Sequence, residues 1–418
     1  MASDSPHDGT PDAPATPAAP STAPVPTSDA ASVHSAHSVN AMSGYSVNLS
    51  VDTDDDARGR DTDNDSSLGD MDTQSSTRSA TSSVYRFVEE FGRTFHSYKE
   101  GKYYLPNDEQ EQNRLDLQHA IAKHVLGGQL GLAPPNRDLG GPETAENDGA
   151  AGAPVDAAQS ATDEASTDAS TDASTDARTE AATGAATGPS RPAHRVLDLG
   201  TGTGIWAIDF AERHPAADVL GTDLSPIQPE YVPANCRFEI DDMEDEWTFG
   251  GANRFDYIHG RYIVPFLKNT PAVIQSAYDN LQPGGYFELF EGPMLFQSVD
   301  GSLEGTTLKA WNDHMMAGVR RVGRDPLAAL NLHAWMADAG FQDITERRHA
   351  LPINPWPRGR ENKLLGAMEM TNLLEVAHGI TMAIFTKALG WSVEAVEVFL
   401  AKVRQDLHDR RIHAYLPV

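Results

Sequence analysis

Between residues 195 and 291 the apolar positions fall in short runs separated by longer stretches with helical spacing. RVLDLG, ADVLGTDLS, CRFEIDDM and FDYIHGRYI read as four strands, GIWAIDFAERH and PAVIQSAYDNL as helices, and PGGYFELFE as a turn leading into a fifth strand. Parallel neighbours require crossover connections, so strands alternating with helices predict a parallel, doubly wound sheet. Downstream the pattern turns helical. Leu308, Trp311, Met315 and Val319 lie on one face, and LHAWMADAGFQDITERRHALPI reads as a helix stopped by Gly340 and followed by a strand. Val393, Val396, Leu400, Val403 and Leu407 form a cleaner stripe, with Ser392 as N-cap and Glu394 in the first turn. The sequence then closes on HAYLPV, a strand-like piece. Upstream, residues 84–140 crowd aromatic side chains and then become periodic, with Asn107 as the expected cap and Leu117, Ile121 and Val125 recurring every four residues.

Two stretches carry no such pattern. Residues 1–83 and 141–194 are rich in Ala, Ser, Thr, Pro and Asp, the second with a repeated STDA unit; they hold net charges of −10 and −8 of the total −29. Burial of so few large apolar side chains does not offset the entropy of ordering, so both are expected to be disordered. The 418 residues then divide into a disordered tail (1–83), a helical N-terminal lid (84–140), a disordered insert (141–194) and a core from 195 to 418. The remainder is also acidic, which argues against direct nucleic-acid binding and against adhesion to an anionic membrane. Cys236, the one cysteine, excludes an internal disulfide and a Cys-rich zinc site. No secretory signal and no apolar run of membrane-spanning length is visible, so a cytoplasmic or nuclear location is expected.

Ligands of open parallel sheets bind beyond the carboxyl ends of the strands. After the first strand, LDLGTGTG alternates Gly200, Gly202 and Gly204 behind Asp198, which lets a nucleoside-bearing ligand approach the backbone. A dinucleotide fingerprint needs its last glycine where Ile205 stands, so NAD is disfavoured. Asp223 ends the second strand, 19 residues beyond Gly204, where a carboxylate can accept from both ribose hydroxyls. After the third strand, Asp241 or Asp242 can accept from an exocyclic amine, with Met243 against a purine face. His259, Arg261 and Tyr262 are the polar groups at the fourth strand's exit; His259 can act as a base, although a lone histidine there is as often structural. Arg261 suits a nearby acid or a ligand carboxylate, and Glu291 emerges after the fifth strand. No metal site is expected: His119 and His124 are five apart and no HExxH occurs.

An acid followed by three alternating glycines resembles motif I of class I S-adenosylmethionine-dependent methyltransferases. That resemblance implies that Asp198 lies near the cofactor's amino group, that Gly200, Thr201, Gly202 and Gly204 back its methionine and ribose portions, that Asp223 and Leu224 hold the ribose, and that Asp242 and Met243 read the adenine. It also places His259 before the reacting methyl group. The blocks EFGRTFHSYKEGKYYLPNDEQEQNRLDLQH, VLDLGTGTGIWAIDFA, GTDLSPIQPEYVP, FDYIHGRY and LQPGGYFELFE, in this order, resemble the fungal LaeA-like methyltransferases, which include regulators of secondary metabolism working with velvet proteins in the nucleus. The implied fold is a Rossmann-like sheet with the upstream block folded back as a lid and helical inserts in the last third. Tyr103 and Tyr104 then stand by the sulfonium pocket, and Tyr104 is taken as a cofactor contact. The resemblance implies methyl transfer to a small-molecule or protein acceptor, or alternatively a cofactor-binding scaffold that meets regulatory partners through its acidic tails. Relatives continue past the position of Val418, so a short final strand that does not close properly is expected.

Overall fold

The computed structural model describes residues 49–52, 87–99, 101–136, 193–249 and 254–418. The disorder expected for 1–83 and 141–194 lies outside them, save at residues 49–52 and 193–194, which correct it; His194 already bonds to Asp218 and Asp256. At 49–52 the Arg358 N–H donates to the Ser50 carbonyl (2.8 Å), Val51 bridges Pro357 antiparallel, and the Asp52 carboxylate meets Lys363.

The upstream segment is not purely helical. β1 (Val88–Glu90) and β2 (Arg93–Phe95) form an antiparallel hairpin ahead of α1 (Glu109–Val125). Asp108, not Asn107, caps the helix: its carboxylate accepts from the Glu111 N–H at 3.0 Å and also pairs with Arg93. Asn107 is drawn off to the hairpin, its N–H donating to the Thr94 carbonyl at 2.8 Å.

The sheet follows as read from the sequence: β3 (Arg195–Leu199), α2 (Ile205–Arg213), β4 (Asp218–Asp223), β5 (Cys236–Ile240), β6 (Phe255–Arg261), α3 (Thr270–Asn280) and β7 (Leu281–Phe290). All five strands are parallel in the order β5-β4-β3-β6-β7. Alternate residues supply opposite faces. Val196, Val219 and Tyr257 meet Trp206 and Phe210 of α2, while Leu197, Leu199, Leu220 and Ile258 meet Val273 and Ala277 of α3. The Pro283–Gly285 turn lies inside β7, where the register with β6 jumps from Phe255↔Leu281 to Tyr257↔Tyr286.

The last third contributes β8 (Gln297–Ser298), α4 (Thr307–Arg321), α5 (Leu332–Ala339), β9 (Ala350–Pro352), α6 (Arg360–Thr381), α7 (Val393–His408) and β10 (Ala414–Pro417). Gly340 ends α5 at φ +104°, as its position suggested. Ser392 caps α7 through the Ala395 N–H, but Val393 in the first turn is exposed and leaves the stripe to Val396, Leu400, Val403 and Leu407. A π-helical turn, Met382–Thr386, prolongs α6 and joins the second core, in which Trp311, Met315 and Val319 of α4 meet Leu373 and Ile380 of α6 and the α7 stripe. The final strand does not fray. β10 is the centre of an antiparallel β8-β10-β9 sheet, and Val418 exchanges two backbone hydrogen bonds with His349 (2.7 and 2.9 Å).

Candidate functional site: a cavity at the switch point of the sheet

Strand order reverses between β3 and β6, with α2 and α3 on opposite faces, and there the loops diverge to leave a crevice. A cavity of about 280 Å³ occupies it, walled by the ends of β3 (Gly200, Gly202), β4 (Asp223, Leu224), β5 (Asp241, Asp242, Met243) and β6 (Arg261, Tyr262). A contiguous smaller cavity of about 50 Å³ lies between the glycine loop and α1, lined by Leu115, His119, Asp198 and Thr201 among others. Gly200 sits at φ +64°, and a Cβ there would lie 2.7 Å from Ile263 Cγ2. The loop is thus both left-handed and tightly backed, which an L side chain fits poorly.

Asp223 reaches the cavity wall as expected. Its two oxygens accept from the Gly202 and Ser225 N–H groups, both at 2.8 Å, which locks the ends of β3 and β4 together. Each oxygen retains a further lone pair for a ligand hydroxyl. Burial raises its carboxyl pKa against those two donors. Asp242 is more committed: one oxygen accepts from the Glu244 N–H (3.0 Å), and the other meets Lys102 and Lys99 of the lid. Burial pushes its carboxyl upward, but the lysines and the backbone donor more than reverse this and hold it below the usual carboxylate range. Asp241 lines the same cavity and accepts from the Asp242 N–H at 2.7 Å, so the structure brings both acids to the β5 exit.

Two expectations are corrected. His259 does not face the acceptor side. It is 1% exposed, its ring stacks on Trp206 (3.7 Å between centroids, 6° between planes), and its Nδ1 lies 2.8 Å from Asp198 Oδ1. Residue 259 shares the face of β6 that carries Tyr257 and packs against Trp206 of α2, where burial lowers the imidazole pKa in spite of Asp198. Asp198 in turn spends its second oxygen on the Thr201 hydroxyl (2.6 Å), so this acid organises the glycine loop from within and reaches only the smaller cavity. Tyr104 does not line the cavity: the Arg324 guanidinium sits over its ring at 5.1 Å, and its neighbour Tyr103 stands at the wall instead. Gly204 stands behind the wall as the left-handed N-cap of α2.

Arg261, beside β3's loop, is the unsatisfied group of the site. Its Nη2 donates to His119 Nδ1 at 2.9 Å, while its buried Nη1 has no partner. An arginine only donates, so His119 accepts at Nδ1 and carries its hydrogen on Nε2, which faces Asp209 at 3.0 Å. Burial lowers the guanidinium pKa although Asp198 stands near. A buried cation with an open N–H is costly unless an anion completes it. Tyr262, next along the chain, has φ +53°, a strained conformation of the kind that gathers at functional sites.

The wall opposite the glycine loop was not read from the sequence. α6 presents Glu369, Asn372, Leu373, Val376 and Ile380, and α4 presents Trp311, Asn312 and Met315. The available signal was a glutamate and an asparagine three apart on an otherwise apolar helical face.

A profile for a methyltransferase domain matches residues 168–346. The methyltransferase pytC of Aspergillus terreus is 33% identical over 346 residues, spanning 82% of this chain and 90% of that protein. This chain belongs to the fungal LaeA-like class I S-adenosylmethionine-dependent methyltransferases. The protein-methionine methyltransferase laeA of Emericella nidulans is 29% identical over 338 residues, covering 79% and 74% of the two chains. Among solved structures, the phosphoethanolamine N-methyltransferase 2 of Haemonchus contortus with phosphomonomethylethanolamine and S-adenosylhomocysteine aligns with a TM-score of 0.33 at 19% identity, over 55% of this chain and 49% of that one. The activity of the LaeA-like enzyme is therefore methyl transfer from S-adenosylmethionine.

Proposed function

We propose that this methyltransferase holds S-adenosylmethionine across the two contiguous cavities and methylates an acceptor of fungal secondary metabolism. The supporting observation is the pairing of Gly200, where a side chain would not fit, with the open Nη1 of Arg261, a loop and a cation that line one crevice. In this reading Arg261 takes the methionine carboxylate, Asp223 the ribose hydroxyls, and Asp241, Asp242 and Met243 the adenine. S-adenosylmethionine supplies a methyl group already carrying its leaving group, so the protein's task is to orient the acceptor and exclude water. Tyr103, Phe266 and Leu105 close the lid side of the cavity and serve the second purpose.

Placement in secondary metabolism rests on the relatives, several of which are named secondary metabolism regulators, among them a protein of Aspergillus fumigatus 28% identical to this chain. A cytoplasmic or nuclear location and regulatory protein partners belong to the same proposal; no described helix is long and apolar enough to cross a membrane. Titration calorimetry with S-adenosylhomocysteine tests the assignment. Asp223→Ala and Arg261→Met should each weaken binding at least about tenfold, the loss of one charged hydrogen-bonding partner. Unchanged affinity in both would remove the reading.

A further inference from the structure

The polar groups of the acceptor lobe can be sorted by what they already bond. Asn312 is spent: its Oδ1 accepts from the Phe296 N–H (3.0 Å) and its Nδ2 donates to the Met294 carbonyl (2.9 Å). Arg114 is spent too, donating from Nε and Nη2 to Glu111 (3.0 and 2.7 Å) and from Nη1 to Asn372 Oδ1 (2.7 Å). That bond orients Asn372 so that its amide N–H groups face Glu369, 3.2 and 3.1 Å from the two carboxyl oxygens. Glu369 is 2% exposed, lines the cavity, and receives one amide nitrogen shared between two oxygens, which leaves acceptor capacity on both. The Tyr262 hydroxyl, at the same wall, makes no hydrogen bond among the described residues. Around these two groups the lobe is apolar: Phe296, Trp311, Met315, Leu373, Val376 and Ile380.

The geometry points to Glu369 as the acceptor-binding base, and to a small, mostly apolar molecule bearing a hydroxyl group as the acceptor. The inference rests on the cofactor reading above. The acceptor oxygen forms a bond to the methyl carbon as the carbon–sulfur bond breaks; the electron pair of that bond stays on sulfur, giving S-adenosylhomocysteine, and the hydroxyl proton passes to the Glu369 carboxylate. The products are a methyl ether and a protonated Glu369, so charge and atoms balance. Burial pushes the Glu369 carboxyl up to about 8, against the Asn372 amide and the Arg114 charge. A base in that range is matched to a weakly acidic hydroxyl near neutral pH. The charged and titratable groups around it are Arg114 and Glu111 from α1 and Tyr262 from the β6 exit. Sign follows directly: the ionised form is the active one, so transfer should rise with pH through about 8.

The test uses the full-length enzyme, S-adenosylmethionine labelled in its methyl group, and an organic-solvent extract of fungal mycelium as acceptor pool. Label should appear in organic-soluble O-methyl products. Glu369→Gln, which keeps shape and removes the base, should lower that transfer at least about 100-fold and abolish the rising pH limb, while calorimetric affinity for S-adenosylhomocysteine stays within about twofold. Label carried into protein, into N-methyl or S-methyl products, or by Glu369→Gln at the wild-type rate would overturn the proposal. So would the absence of organic-soluble label from an enzyme that still binds S-adenosylhomocysteine. A wild-type enzyme that fails to bind S-adenosylhomocysteine would instead sink the cofactor reading beneath it.

Discussion

Replacing His259 with phenylalanine separates a core histidine from a catalytic one. The aromatic face that stacks on Trp206 survives, while the hydrogen bond between Nδ1 and Asp198 Oδ1 is lost. Asp198 is 3% exposed, its other oxygen is held by the Thr201 hydroxyl, and the space beside it is only the small cavity at the glycine loop, so the vacated oxygen is poorly solvated. Leaving a buried charged acceptor unpaired costs on the order of 3 kcal/mol. For a folded unit of this size that corresponds to a fall of roughly 5 °C in the unfolding midpoint. Thermal unfolding followed by dye binding or circular dichroism measures it, and calorimetry with S-adenosylhomocysteine shows whether the Gly200–Gly204 loop keeps its shape. The expected result is a large loss of stability with cofactor binding weakened only through the Asp198–Thr201 link. A variant that melts within about 1 °C of the wild type, yet transfers no methyl group, would refute the reasoning and return His259 to the reaction.

Two further outcomes follow from the charges around the cavity. Lys102→Met should destabilise the fold by about 2 kcal/mol, because its side chain, 17% exposed, joins the buried Asp242 to Glu244, whereas Lys99→Met, on a side chain 32% exposed that joins Asp242 to the exposed Asp245, should cost under about 1 kcal/mol; chemical denaturation of both variants checks the order, and a reversed order would count against a buried latch between lid and sheet. The Glu291 carboxyl is buried, its Oε1 accepting from the Ile263 and Val264 N–H groups and its Oε2 unpartnered, and burial raises its pKa to about 8. The folded protein keeps a proton there that the unfolded chain has released, so this residue makes stability fall as pH rises from about 4.5 to about 8, by a few kcal/mol. Glu291→Gln should flatten that slope in denaturation at pH 5 and pH 8, and parallel slopes would contradict it.

The sheet was legible because its determinants are local. A run such as RVLDLG carries its own burial pattern, and the glycines that follow answer to backbone needs of their own loop: Gly200 and Gly204 both take positive φ. Asp223 and Met243 could be placed from position alone, since the carboxyl end of a parallel strand has one destination. His259 and Tyr104 failed for a shared reason. Which side of a strand or lid a polar ring faces is decided by distant partners, Trp206 and Asp198 in one case and Arg324 in the other. The acceptor wall failed more completely. Glu369 and Asn372 interrupt the apolar face of α6, so the longest helix among the described residues lost its periodic signal where these two residues line the cavity. Their meaning depends on Arg114, 258 residues away from Asn372 in sequence. A buried carboxyl inside a helix is locally unfavourable on every count, and only the cavity it faces gives it a role. On the proposed reading, the residues that contradict their own helix are the ones that select what is methylated.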